Sequence, residues 1–246
     1  MLRRLVLVGL LVGGMAGCAR GPRVQTAPDP MVLLTRARNE FRRGKFPQAL
    51  LLFQRLTFEL GGAQEHLAEV RYSMAECYFQ TGDRVTAAHE FRRVADDFPE
   101  SPYAPQALLR AGDANLRLWR RAELDPSYGE AALAIYQELV GRFPTSDASA
   151  RAGVHVRQLK EQLAEKSYKN GLFYMRRRAY DSAIIYFKDV IASYPETERV
   201  PLALQRLIDS YRAIGYKEEL QETCAHLQRF YPQTPGLVES CPAGAP

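Results

Sequence analysis

Residues 75–99 read AECYFQTGDRVTAAHEFRRVADDFP, and residues 171–195 read GLFYMRRRAYDSAIIYFKDVIASYP. Laid over one another, they agree at five places. A small residue (Ala75, Gly171) is followed twelve positions later by a second (Ala87, Ala183). An aromatic stands four further on (Phe91, Phe187), then Val after three (Val94, Val190) and Pro after five (Pro99, Pro195). A repeated spacing of this kind signals stacked copies of one supersecondary unit. Two antiparallel helices come close only where neither carries a bulky side chain, so the small residues mark the crossing. The aromatic fills the space above it, where a buried ring contributes about 1.5–3 kcal/mol. The proline ends the second helix, because it has no N–H to continue the ladder.

Three further copies fit the frame. Ala37, Ala49, Phe53 and Leu56 keep it, with Gly61 in the proline slot. Ala111, Ala132, Tyr136, Leu139 and Pro144 keep it with extra residues between the halves. Ile208, Leu220, Leu227 and Pro232 keep it with Cys224 in the aromatic slot. Gly44, Gly82 and Gly215 fall between helices, where a left-handed residue commonly ends a helix. Asp83 and Asp181 then read as N-caps of the second helices, and Ser101-Pro102 as a cap with a first-turn proline. The pattern resembles the tetratricopeptide repeat, although no unit carries the tryptophan often found early in the first helix. The expected fold is all-α: a right-handed superhelical solenoid of five helix pairs, about ten helices.

Two features interrupt the array. Trp119 to Gly129 is inserted into the third unit, and its Asp-Pro and Tyr-Gly mark a loop. Trp119 reads equally as an interaction anchor or as the end of its helix's core. From Ser146-Asp147 to Arg178 the helical pattern runs on with Gly153 and Gly171 as its only punctuation, and Val154, Val156, Leu159, Leu163 and Tyr168 form its apolar side. One long helix entering the fourth unit is expected. Residues 31–144 then form three N-terminal units, residues 145–232 the long connecting helix with two C-terminal units, and residues 233–246 a tail.

The chain opens with Met1-Leu-Arg-Arg4, an apolar run from Leu5 to Val12, and the small residues before Cys18. This is the layout of an export signal. Ala16, Gly17 and Cys18 resemble a bacterial lipobox, with Met15 where Leu is usual. Residues 1–17 are then a lipoprotein signal peptide, and Cys18 is the acylated first residue of the mature chain. Ala19 in place of Asp favours the outer membrane over the inner one. Residues 18–30, with three prolines after Arg20, read as a flexible tether. The expected location is the periplasmic face of the outer membrane, anchored by lipid through Cys18.

A formal charge of +5 in 246 residues is mildly basic and gives no concentrated patch for nucleic acid. The four histidines are scattered, and no HExxH, CxxC, phosphate-binding glycine loop or Gly-x-Ser-x-Gly occurs. No cofactor, metal or catalytic residue is expected, and the protein reads as a binding module rather than an enzyme. Cys77, inside a first helix, reads as a buried small hydrophobe. Cys224 and Cys241 are a candidate disulfide that would pin the tail, though connectivity cannot be read from sequence.

In this repeat type the first helices line the concave surface. The positions three before and one, four and five after the small residue point inward. They give Leu34, Arg38, Phe41 and Arg42 in the first unit, Tyr72, Glu76, Phe79 and Gln80 in the second, and Asn115 in the third. An arginine pair beside aromatic rings suits a peptide ending in an aromatic residue and its carboxylate, since Arg holds carboxylates by paired hydrogen bonds. Phe41 and Phe79 could equally pack between neighbouring first helices.

The signal, the tether and five units together resemble the BamD (YfiO-type) family, lipoproteins of the outer-membrane β-barrel assembly machinery. The resemblance is carried by Phe46-Pro-Gln-Ala-Leu-Leu-Leu-Phe53, Phe98-Pro-Glu-Ser-Pro-Tyr-Ala104, Ala122-Glu-Leu-Asp-Pro-Ser-Tyr128 and Arg142-Phe-Pro-Thr-Ser146, with the long helix before Tyr168. It implies a non-catalytic scaffold whose C-terminal half binds a POTRA domain of the barrel-forming assembly protein. Its N-terminal units would receive the C-terminal strands of unfolded outer-membrane proteins, with further assembly lipoproteins as additional partners. The alternative is another periplasmic repeat lipoprotein, such as a pilus-secretin pilotin or a cell-envelope division factor.

Overall fold

The computed structural model describes residues 29–60, 64–119 and 125–241. The expected signal segment, Cys18, most of the tether and the middle of the third-unit insertion lie outside these residues. Among the described residues there are eleven helices and no strand. They pair as α1 (Pro30–Arg42) with α2 (Phe46–Glu59), α3 (Gln64–Thr81) with α4 (Arg84–Asp97), and α5 (Ala104–Leu118) with α6 (Ser127–Arg142). Next come α7 (Asp147–Arg176) with α8 (Tyr180–Ser193), and α9 (Val200–Ile214) with α10 (Lys217–Phe230). A single turn, α11 (Leu237–Ser240), follows. Each helix of the five pairs packs on its chain neighbours, so the protein is a helical solenoid of tetratricopeptide type.

The crossings are built as the spacing requires. Ala37, Ala75, Ala111 and Gly171 are buried, as are Ala49, Ala87, Ala132 and Ala183 opposite them. Phe53, Phe91, Tyr136 and Phe187 are buried above. In the third unit the closest approach falls one residue past Ala111: a Cβ on Gly112 would overlap the Tyr136 ring. Gly44, Gly82 and Gly215 have positive φ, and in the fourth unit the same slot holds Arg178 at φ 60°.

The ends of the second helices share one device. Phe98, Phe143, Tyr194 and Tyr231 close α4, α6, α8 and α10 with φ between −132° and −134°. Each precedes a proline, whose ring drives the preceding residue out of helical conformation. Two positions after each proline stands Ser101, Ser146, Thr197 or Thr234, whose amide donates to the aromatic's carbonyl at 3.0–3.1 Å. The hydroxyls of Ser146, Thr197 and Thr234 donate to that carbonyl as well.

Capping departs from expectation at two places. Asp83 caps α4, its carboxylate accepting from the Thr86 amide at 3.2 Å. Asp181 does not cap α8, because that helix starts earlier and Asp181 lies in its first turn. Ser101-Pro102 lies in the turn before α5, which begins at Ala104 with Pro105 in its first turn. The long helix runs for 30 residues from the Ser146 cap, whose hydroxyl accepts from the Ser149 amide at 3.1 Å. Leu159 and Leu163 are buried on it, whereas Val154 is exposed. Helix α6 begins at Ser127, so the inserted loop ends before Gly129. Trp119 is half-buried with its indole against Gly129, a packing role. No helix of the described residues is long and apolar enough to cross a membrane.

Candidate functional site

Two cavities meet on the side lined by the first helices. One, about 450 Å³, is bounded by Thr35, Arg38, Phe41, Arg42, Glu69 and Ser73, with Phe53 at its base. The other, about 570 Å³, is bounded by Arg38, His66, Glu69, Tyr103 and the Phe98–Pro102 turn between α4 and α5. Arg38 and Glu69 belong to both. Arg38 Nε donates to Glu69 Oε1 at 2.6 Å and Nη2 to Oε2 at 2.5 Å. This fork raises the Arg38 pKa, chiefly through the hydrogen bonds and against the opposing effect of burial. Arg42 is exposed and donates to the Asn39 side chain. Phe41 stands edge-on to Phe46 and Phe53, with ring centroids 5.5 and 6.3 Å away. It therefore packs beneath the groove and also forms part of its wall.

Beside this groove, Tyr72 lies between Phe91 and Tyr103, centroids 5.5 and 5.3 Å away. Burial is the main reason its phenol pKa is pushed well up, with the Glu76 charge adding to it. Deeper along α3, Glu76 is buried and receives two hydrogen bonds from Arg110, one from Nε and one from Nη2 at 2.9 Å. Arg110 also donates to Asp113 at 3.1 Å and lies 4.0 Å from the Phe79 ring centroid. Asp113 accepts from the Tyr136 hydroxyl at 2.8 Å. Burial alone would lower the Arg110 pKa, but Glu76 and Asp113 outweigh it and the net shift is upward. Gln80 Nε2 is 3.4 Å from Glu76.

The structure thus brings Arg38, Phe41 and Arg42 to one cavity, and Glu76, Phe79 and Gln80 to an internal ion-pair network centred on Arg110. Leu34 is fully buried in the core with Ala37 and Phe53, so it faces the crossing rather than the groove. Asn115 turns back to donate to Ala111 O on its own helix at 2.9 Å. Sequence spacing missed Glu69 and Arg110. Glu69 lies six residues before Ala75, outside the positions taken to point inward. The only sign of Arg110 is its isolation in an otherwise apolar stretch of α5. Among the described residues no cluster of His, Cys, Asp and Glu could hold a metal ion. Cys224 and Cys241 are bonded through their Sγ atoms, and Cys77 is a buried free thiol.

Comparison with known proteins finds relatives along most of the chain. The outer membrane protein assembly factor BamD of Caulobacter vibrioides is 25% identical over 228 residues, which cover 92% of this chain and 74% of that protein. The factor of the same name from Vibrio cholerae is 24% identical, covering 88% of this chain and 94% of its own. That of Neisseria meningitidis serogroup A is 24% identical over 85% of this chain and 81% of its own. The sequence model of YfiO, described as an outer membrane lipoprotein, matches residues 27–227. A match over most of a chain that folds as five stacked helix pairs means that the protein belongs to the YfiO family of outer membrane lipoproteins.

Proposed function

We propose that this protein is a non-catalytic scaffold of the outer-membrane β-barrel assembly machinery, anchored by lipid at Cys18 on the periplasmic face of the outer membrane. In this reading the groove between α1, α3 and the α4–α5 turn receives the C-terminal strand of an unfolded outer-membrane protein, and the C-terminal helix pairs bind a POTRA domain of the barrel assembly protein. The observation that carries the cargo role is the cavity in which Arg38 and Arg42 flank Phe41. An incoming carboxylate would be held by Arg42 and by the Arg38 Nη1 group, which Glu69 does not engage, while an aromatic terminal side chain packs toward Phe41. The Arg38–Glu69 pair sharpens the expectation: its partial neutralisation makes Arg42 the stronger point of attraction.

The test is fluorescence anisotropy with a labelled peptide ending in phenylalanine. Arg42→Glu should weaken binding by about 10-fold, the scale of one lost charge-assisted hydrogen bond. Arg38→Glu combined with Arg42→Glu should abolish it, with circular dichroism showing that the helices persist. Unchanged affinity in the double variant overturns the cargo assignment. Affinity capture from detergent-solubilised envelope tests the other half: a POTRA-containing barrel protein should co-purify, and a secretin in its place overturns the assembly role. Cys18→Ala should release the protein from the membrane fraction.

A further inference from the structure

The last unit lacks an aromatic at the position filled by Phe53, Phe91, Tyr136 and Phe187, and has Cys224 there. What occupies that end of the solenoid is the chain's own tail. Tyr231-Pro-Gln-Thr234 repeats the aromatic–proline turn that elsewhere launches the next unit. Helix α11 then begins six residues after Tyr231, as α5 begins six after Phe98 and α9 six after Tyr194. It stops after one turn, and the Cys241 that follows it is bonded to Cys224 in the aromatic slot. Gln205 Nε2 and Arg212 Nη2 of α9 donate to the carbonyls of Pro235 and Ser240, each at 2.6 Å, and Gln228 of α10 donates to Cys241 O at 3.3 Å. Leu237 rests on the cluster that contains Leu204, Ile208 and Tyr211.

We infer that residues 231–241 are a one-turn sixth unit acting as a thiol–disulfide latch: oxidation of Cys224 and Cys241 docks this strap as a cap on the fifth helix pair, and reduction releases it. Solenoids need such a cap because the outer face of the last repeat has no neighbour. Closure joins the two sulfurs. Two electrons and two protons pass to the disulfide of a thiol oxidoreductase, which leaves as a dithiol. A dithiol reductant reverses the exchange and becomes a disulfide itself. Among the described residues the strap's remaining grip is three side-chain hydrogen bonds, each partly offset by water, and the packing of Tyr231 and Leu237, so the covalent link does most to hold its far end. A loop closed across 17 residues shifts the undocking equilibrium by about 100-fold.

Hydrogen exchange on the full chain, with and without dithiothreitol, tests the latch, and thiol alkylation of a parallel aliquot verifies reduction. Protection across residues 231–241 and α10 should fall about 100-fold on reduction while α1 to α6 keep theirs. Unchanged protection in residues 231–241 of the reduced protein overturns the latch, and so does loss of protection along the whole chain. A second variant isolates the slot. Cys224→Phe with Cys241→Ser supplies the missing ring, and α10 should then stay protected in either redox state while the strap exchanges freely. If α10 in that variant is as unprotected as in the reduced protein, the disulfide does not stand in for the aromatic.

Discussion

Gly171 lies under the Phe187 ring, and a Cβ placed on it would come within 2.8 Å of that ring's Cδ1 and Cζ. The ring is fully buried and cannot swing aside. Gly171→Ala should therefore lower stability by about 1–3 kcal/mol through overpacking, although alanine is the better helix former by about 1 kcal/mol. A urea titration reads the sign directly. Seven residues on, the opposite experiment is available. Arg178 holds a left-handed conformation at φ 60° in the slot that Gly44, Gly82 and Gly215 fill elsewhere. Arg178→Gly should raise stability by about 0.5–1 kcal/mol, seen as a higher urea midpoint, once the extra freedom of the unfolded glycine is set against the relieved strain. The glycines could be read from sequence because only that residue adopts the conformation freely. Arg178 could not, because there the turn dictates the backbone and the residue type gives no sign of it.

At the scale of elements, each helix end was written in short local patterns, and these are what sequence displays best. The Ser146 cap and the long run after it were legible in this way, although the helix ends at Arg176 and not at Arg178, and Ser146→Ala should cost about 1 kcal/mol of stability. Asp181 misled because an N-cap and a first-turn acid differ by only two residues. The groove was less legible. Arg38 finds Glu69 across 31 residues and Arg110 finds Glu76 across 34, distances at which only the packed solenoid determines a partner. The two pairs should also behave differently. Arg38 is 43% exposed, so Glu69→Ala should cost no more than about 1 kcal/mol. Glu76 and Arg110 are 11% and 17% exposed. Glu76→Ala leaves the largely buried guanidinium with Asp113 as its remaining acidic partner and should cost about 2–3 kcal/mol, read as a matching loss in chemical denaturation.

At the scale of the whole molecule, the core of the described residues falls into three clusters: one under α1 to α3, one from α3 to α7, and one from α7 to the tail. Stability in such an array is close to a sum over neighbours. Phe91→Ala should cost about 3–5 kcal/mol, and the resulting rise in hydrogen exchange should centre on α3 to α5 and spare α10. Uniform acceleration along the chain would mean that the clusters unfold as one.

Helix α7 belongs to two of these clusters, contributing Ala148, Ala152 and Leu159 to the middle one and Ala164 to the last. Its 30 residues rise about 45 Å, so a tilt of about 5° at one end displaces the other by about 4 Å. That span makes it a mechanical lever. Torque applied to the last two helix pairs would arrive at the middle of the array as displacement, with no hydrogen bond of the helix broken on the way.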